Sequence, residues 1–305
     1  MFFFETSLLD VFNFLTGEYV IHLLILVGIY LILAQSFNIC FGLGGLFNLA
    51  HVSCYAIGAY VTALLSTELQ VGFFLSIAAS GLTAGFFSLL IGLISLKLKQ
   101  DYFAIGTLAF ASVVTAVLIN WKSVTRGVLG IPGIPRPEIG SIDFNQNVNF
   151  LALVCIILVA VYLVCYVVFK SSLARSLRAQ SEHEYAAIAL GKNVQGVRND
   201  GFIISSSCAG IAGSLFAYYI NYIDPSSFGL HEMVFVLSIV VLGSPGSFWG
   251  VTLATFFLVL LPEPLRWLEL SPSILGPMRQ FLYAFILFLA VYWKKEKLFP
   301  LRREI

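Results

Sequence analysis

Apolar runs recur along this chain, and they constrain its fold more than any other feature. A helix needs ~20 such residues to cross ~30 Å of hydrocarbon, where only helices and closed barrels satisfy their own backbone hydrogen bonds. The chain is 59% hydrophobic and 11% charged, whereas soluble domains are roughly 25% charged. We therefore expect an all-α integral membrane protein, a polytopic helical bundle with about eight spanning or re-entrant segments.

The predicted segments follow the apolar runs. Met233–Leu242 covers only about half of a bilayer at ~1.5 Å per residue, so we expect it to form a re-entrant or tightly bent pair with the segment after it. The segments are Tyr19–Phe37, Leu49–Leu65, Val71–Leu96, Tyr102–Trp121, Val148–Phe169, Gly201–Tyr222, Met233–Leu242, Phe248–Leu261 and Gly276–Trp293.

Glycine clusters interrupt the apolar pattern at Asn38–His51 and at Gly243–Gly250. Single glycines are as readily explained by helix packing, but clustering favours breaks. Broken helices occur at membrane depth only where their freed backbone groups line a cavity or are buried in protein. We therefore predict two Gly-broken helices as pathway elements, although we expect His51 to be a satisfied structural histidine rather than a ligand. The candidate pathway residues are Gly42, Gly44, Gly45, Asn48, His51, Tyr55, Gly243, Ser244, Pro245 and Gly246.

The longest polar interruption is Lys170–Asp200, which we call the polar segment. Ser181 and Glu184 have the spacing of a capping box, and Gly191 suits the left-handed position that ends a helix. Asn193 is typical of the residue that caps a second helix. We expect a short helix between two long ones. An ordinary cytoplasmic loop is the simpler interpretation, and a helix that enters a groove on a partner is the functional one.

The distribution of basic residues predicts an orientation. We place three basic clusters in the cytoplasm: Lys97 with Lys99, the polar segment and the tail 294–305. The loop Lys122–Asn147 and the turn Ile223–Glu232 are then outside. Residues 1–18 would then be an external or interfacial segment, followed by a single transmembrane domain over 19–293. The polar segment would be its cytoplasmic loop, and the C-terminus would be cytoplasmic.

The chemistry missing from the sequence limits its function. No Asp or Glu falls within a predicted span, and Arg279 is the only charge close to one, which argues against a proton relay. Gly191 and Lys192 lack the other residues of a phosphate-binding loop, and Phe235 stands where a second histidine would complete a zinc-protease motif. We predict no catalytic, metal-binding or cofactor-binding residues, and no nucleic-acid partner. Another subunit would have to supply the energy.

Several stretches, in order along most of the chain, resemble permeases of the branched-chain amino acid (Liv-type) ABC transporters. Within the polar segment, Glu184 to Ala187 followed by Gly191 resembles the E-A-A…G coupling motif of ABC importer permeases. The other matching stretches are FGLGGLFNLAH (41–51), YAIGAY (55–60), LKLKQDYFAIGTLAF (96–110), GVLGIPGIP (127–135), CAGIAGSLFA (208–217) and the stretch from Asp224 to Gly250 that ends VLSIVVLGSPGSFWG.

This resemblance implies a non-catalytic subunit of a heteromeric importer in a bacterial or archaeal plasma or inner membrane. Its partners would be a second permease subunit, two ABC ATP-binding subunits, an extracytoplasmic substrate-binding protein and the lipid bilayer. The coupling helix would be Glu182–Leu190. The residues implied in ATPase contact are Ser181, Glu184, Tyr185, Ala186, Ala187 and Gly191.

Other functions stay open at this point. Relatives of such permeases import urea, amides or other amino acids, and a stand-alone channel or secondary carrier is the alternative from another class. An intramembrane enzyme has no paired nucleophile and base to support it.

Overall fold

The computed structural model describes residues 17–95, 100–139, 142–264 and 272–298, and its regular structure is almost entirely helical. The helices are α1 Glu18–Phe37, α2 His51–Thr67, α3 Phe73–Ser95, α4 Gln100–Asn120, α5 Lys122–Thr125, α6 Asn147–Lys170, α7 Ser172–Glu182, α8 Glu184–Ala189, α9 Val194–Ile220, α10 Leu230–Leu242, α11 Phe248–Leu260 and α12 Pro272–Leu298. Two-residue strands form two antiparallel pairs, β1 Ile131–Pro132 with β4 Tyr222–Ile223 and β2 Glu138–Ile139 with β3 Ile142–Asp143.

The predicted fold class is confirmed. Seven of the described helical stretches are long and apolar enough to cross a membrane, and α11 is a shorter apolar helix. Helix α9 begins at Val194, directly after the Asn193 cap predicted for it, and runs into the span predicted from Gly201. The predicted segment before Gly17, the pair Lys97 and Lys99, and the tail after Leu298 lie outside the described residues.

Helix α9 packs against α1, α2 and α3 through small residues. A Cβ atom built on Gly58 of α2 would lie 2.5 Å from the Cα atom of Gly210 in α9. One built on Gly213 would lie 2.9 Å from the backbone nitrogen of Ala59. One built on Gly210 would lie 2.6 Å from the carbonyl oxygen of Ser80 in α3. Because these neighbours are backbone atoms, the helices are as close as their backbones allow, a mode of packing typical of membrane helices.

We predict that Gly213→Val destabilises the protein by at least ~1–3 kcal/mol, since the added side chain meets backbone that cannot move aside. Thermal unfolding of the detergent-solubilised protein measures this. Gly72→Val is the matched control, because a Cβ there has no neighbour within 4 Å. Equal melting temperatures for the two variants would contradict the prediction.

The loop after α4 and the turn after α9 lie at the same end of the bundle. Strand β1 pairs with β4, with Ile131 opposite Ile223. The Asn221 side chain donates to the Ile134 carbonyl at 2.7 Å. Arg126 reaches Glu68, at the end of α2, with 3.8 Å between charged atoms. The pair is exposed and contributes little stability. The two segments that the charge distribution places on one side are therefore joined to each other.

Both predicted breaks are present, with changed limits. Asn38–Leu43 continues α1 as a π-helix, so the irregular stretch begins only at Gly44 and ends where α2 begins at His51. In the second half, α10 begins at Leu230 rather than Met233. With the preceding 3-10 turn Pro225–Phe228, this arm is long enough to cross a membrane, so it is longer than the half-span predicted.

Candidate functional site

The two broken segments, 200 residues apart in sequence, lie against each other. The Asn38 side chain joins them: its Oδ1 accepts from the Gly246 backbone N–H at 2.8 Å, and its Nδ2 donates to the Ser247 carbonyl at 3.2 Å. Gly42 lies one helical turn further along, and a Cβ built on Gly246 would be 2.9 Å from the Gly42 carbonyl oxygen. We call this contact the junction; it brings together the two glycine clusters that the sequence singles out.

Gln35 extends the junction along α1. Its Nε2 donates to the Phe248 carbonyl at 2.6 Å and to the Thr252 hydroxyl at 3.0 Å, and its Oε1 accepts from the Asn38 amide at 3.3 Å. Sequence reasoning missed both amide residues. Their spacing of three places them on one helix face and could have identified them as a pair.

The turn between α10 and α11 has a constrained backbone. Ser244 has φ +69° and Gly246 has φ +79°, a region that costs a non-glycine residue roughly 1–2 kcal/mol. The Ser247 hydroxyl oxygen then caps α11 by accepting from the Gly250 N–H at 3.1 Å. The turn is thus held by its own cap on one side and by Asn38 on the other. Pro245 lies within the turn.

The predicted polar residues after the first break have structural partners. His51 is fully buried, and its Nε2 lies 3.2 Å from the Leu33 carbonyl and 3.0 Å from the Ser36 hydroxyl. Since a carbonyl only accepts, this nitrogen carries the proton. Asn48 accepts from the Ala50 N–H at 2.9 Å, at the start of α2. His51 thereby fastens α1 to α2 through Nε2, whereas its Nδ1 and the Asn48 Nδ2 are buried without a partner, so the expected satisfaction of this histidine is only partial.

The capping box predicted within the polar segment is wrong. The Ser181 hydroxyl donates back to the Arg178 carbonyl at 2.8 Å, and His183 stands before the first residue of α8 without a side-chain cap. The Glu184 carboxylate instead accepts two hydrogen bonds from Arg198 of α9, at 3.1 and 2.8 Å. Tertiary contact with a guanidinium therefore outweighs the local pattern, because a bidentate charged pair is stronger than a neutral cap.

The predicted end of the short helix is confirmed. Gly191 has φ +75°, its N–H donates to the Ile188 carbonyl at 2.9 Å, and the next N–H donates to the Ala187 carbonyl at 3.0 Å. This pair of bonds is the Schellman motif. The Asn193 side chain caps α9 as predicted, accepting from the Gly196 N–H at 3.1 Å. The Schellman bonds thus fix the C-terminal end of the short helix and the Arg198 pair holds its first residue, although it spans Glu184–Ala189 rather than Glu182–Leu190.

Helix α8 presents apolar side chains to its surroundings. Tyr185 is 85% exposed, Leu190 is 80% exposed and Ile188 is 51% exposed, which is unusual beside so many charged residues. Ala186 is exposed as well, whereas Ala187 is 3% exposed and packs against the rest of the chain. The surface available to a partner is therefore formed by Tyr185, Ile188 and Leu190, two of which the sequence analysis did not select.

Helix α7 connects this surface to the junction. Leu177 is fully buried, with side-chain carbons 3.4 Å from a Cβ built on Gly44 and 3.1 Å from one built on Gly201. Its neighbour Arg178 donates to the Gly246 carbonyl at 3.4 Å. One turn of α7 therefore contacts both broken segments and α9 near Gly201.

The expectation that no carboxylate lies within a span is wrong. Because α10 begins at Leu230, Glu232 falls in its first turn, where its carboxylate interacts with the Tyr30 hydroxyl of α1. The predicted apolar segment began at Met233, one residue later, and so excluded Glu232. Within the described residues, no group of three or more His, Cys, Asp or Glu side chains could hold a metal ion.

We predict that Asn38→Leu loosens the junction, because it leaves the Gly246 N–H without its acceptor, a loss of about 1–3 kcal/mol. Hydrogen exchange measured by mass spectrometry should become faster across residues 243–247. Asn120→Leu is the control, because that amide bonds only within its own helix, to Ala116. Unchanged exchange in Asn38→Leu would show that the junction does not depend on this side chain.

The chain resembles known membrane transport proteins. Residues 19–291 match the family described as "Branched-chain amino acid transport system / permease component". The chain is 34% identical over 299 residues to the high-affinity branched-chain amino acid transport system permease protein LivM of Escherichia coli, covering 90% of this chain and 68% of the relative.

More distant relatives include the probable branched-chain amino acid transport permease protein LivM of Methanocaldococcus jannaschii, 29% identical over 75% of this chain and 67% of that protein. The nucleoside ABC transporter permease protein NupC of Lactococcus lactis is 28% identical over 58% of this chain and 60% of that protein. No solved structure matches the chain.

Proposed function

Because the chain belongs to the permease-component family of branched-chain amino acid transport systems, we propose that it is the non-hydrolytic membrane subunit of an ATP-driven importer for branched-chain or related amino acids. The observation that carries this proposal is the connection of α8, through Leu177 and Arg178 of α7, to both broken segments. The surface that would bind the partner and the segments that would form the pathway thereby belong to one structural unit.

Force would enter at α8. Tyr185, Ile188 and Leu190 form a small apolar surface that suits a groove on an ATP-binding subunit, in the helix-in-groove mode of recognition. The Schellman cap and the Glu184–Arg198 pair would make α8 move together with the start of α9. Leu177 would pass the displacement to Gly44, and Arg178 would pass it to Gly246.

The proposed orientation places the polar segment in the cytoplasm, together with the C-terminal end of α12. The joined loop Lys122–Asn147 and turn 221–229 would face outside, where a substrate-binding protein docks. The assembly would contain two ATP-binding subunits, which hydrolyse ATP, and a second permease that forms the other half of the pathway. The cell's plasma or inner membrane would hold it, with residues 19–293 as one transmembrane domain.

The pathway would pass the junction. Motion there would alternately close and open the stretch that contains Gly42, Gly44 and Gly45 against the turn that contains Gly243 to Gly246. Freed backbone groups of both segments would then face a cavity, as in other transport proteins with discontinuous helices.

We predict that Gly191→Val uncouples ATP hydrolysis from uptake without preventing membrane insertion. The substitution meets no neighbouring atom, but φ +75° is unfavourable for a branched side chain, so the Schellman end of α8 is lost. The measurement is labelled amino acid taken up per ATP hydrolysed by the reconstituted importer, with an expected decrease of severalfold.

Gly133→Val is the matched control. Gly133 has φ +74° and equally open space, but it lies in the loop at the opposite end of the bundle. A normal uptake ratio in Gly191→Val, or an equal decrease in Gly133→Val, would contradict a specific coupling role for α8.

Reconstitution of the chain alone separates the importer from a channel or secondary carrier. We expect no steady flux of amino acid into proteoliposomes that contain this chain without ATP-binding subunits. Flux that needs neither ATP nor partner would support the channel or carrier instead. Competition of labelled leucine uptake by urea, amides and other amino acids in the full importer would define the substrate class.

A further inference from the structure

Glu232 belongs to a half-buried polar cluster that neither the junction nor the coupling surface uses. It lies in the first turn of α10, which packs against α1, α2 and α12, and its carboxylate interacts with the Tyr30 hydroxyl of α1. It also interacts electrostatically with Tyr55 of α2 and Tyr283 of α12. Four helices that are distant in sequence thus direct polar groups to one place, and a carboxylate within a membrane domain is costly and usually marks a functional site.

Two members of the cluster lack hydrogen-bond partners. The Tyr55 side chain is 1% exposed, and its hydroxyl makes no hydrogen bond. The Nε of Arg279, one turn before Tyr283 on α12, also has none. Among the residues that the structure describes, neither Glu232 nor Arg279 forms an ion pair. Buried polar atoms of this kind destabilise the fold unless a ligand or a water molecule supplies the missing hydrogen-bond partner.

Aromatic rings enclose the cluster. The Phe235 ring lies 5.0 Å from that of Tyr30 and 4.4 Å from that of Tyr283, between centroids. The Phe228 ring lies 5.3 Å from that of Tyr55. A negative group, a positive group and apolar walls together are complementary to a small zwitterion with a hydrocarbon side chain.

We propose that this cluster is an amino-acid binding site within the pathway, an inference that rests on the function proposed above. Glu232 and the oxygens of Tyr30 and Tyr55 offer three acceptors to the three N–H donors of an α-ammonium group. The Arg279 guanidinium is the partner of the α-carboxylate. The rings of Phe228 and Phe235 contact the substrate side chain.

The test uses the complete importer in proteoliposomes, with its partner permease, ATP-binding subunits and saturating leucine-loaded binding protein. Glu232→Gln keeps the size of the side chain and removes its charge. We expect it to lower leucine uptake per ATP hydrolysed by roughly tenfold or more, the effect of one lost charge-assisted hydrogen bond. A purely structural defect would instead lower uptake and ATP hydrolysis together.

Tyr55→Phe removes one oxygen atom and no hydrogen bond within the protein, so it tests the proposed binding site even if Glu232→Gln fails to fold. We expect a loss of severalfold in uptake per ATP. Tyr60→Phe is the matched control on the same helix. Its hydroxyl is also buried and without a partner, and its ring also packs near Phe228, but it interacts with Asp224 rather than Glu232.

The outcomes separate the two proposals. Wild-type importer without ATP-dependent uptake would overturn the proposed function. Normal wild-type uptake with unchanged ratios in Glu232→Gln and Tyr55→Phe would overturn only the binding site. Equal losses in Tyr55→Phe and Tyr60→Phe would overturn it too, because both hydroxyls would then act through packing alone.

Discussion

The side chain of Asn38 joins the first interrupted helix to the backbone of the second, and the meeting of the two breaks depends on this contact. Its oxygen accepts from Gly246 and its nitrogen donates to Ser247. In an apolar medium each unsatisfied backbone group costs several kcal/mol, and the Asn38 side chain satisfies two such groups of the second break. In the first break, Thr107 and Asn48 accept from the Leu49 and Ala50 N–H groups. Gly42 allows the approach, since a Cβ at this position would overlap the Gly246 backbone nitrogen. The two breaks therefore form one structural unit.

The remaining helices divide into parts with different freedom to move. Helices α2, α3 and α9 contact one another at backbone distance through Gly58, Gly210 and Gly213, and interiors packed in this way resist continuous deformation. Helix α11 and the turn before it, in contrast, meet α1 at hydrogen bonds from Gln35 and Asn38, and these can be exchanged for others. Any displacement delivered by α7 would therefore be taken up at the junction rather than within the glycine-packed helices.

Local and compositional signals carried the sequence-based predictions that were confirmed. Apolar length predicted α6 to within one residue at each end, and the left-handed preference of glycine predicted the end of α8 at Gly191. The predictions failed where a distant partner decided the structure. Glu184 pairs with Arg198, fourteen residues away, instead of capping its own helix. Asn38 finds its partner 208 residues along the chain, and no local pattern contains that information.

Helix α10 links the two candidate sites, because Glu232 lies in its first turn and Gly243 follows its last residue. Eleven residue steps separate them, about 16 Å at ~1.5 Å per step. A helix of this length moves as a rigid body, so a shift of the turn at Gly246 would also displace Glu232 relative to Tyr30 and Tyr55. Rearrangement of the junction would thereby change the geometry of the polar cluster. A chain without its own energy source could in this way release a bound zwitterion in response to a force applied at α8.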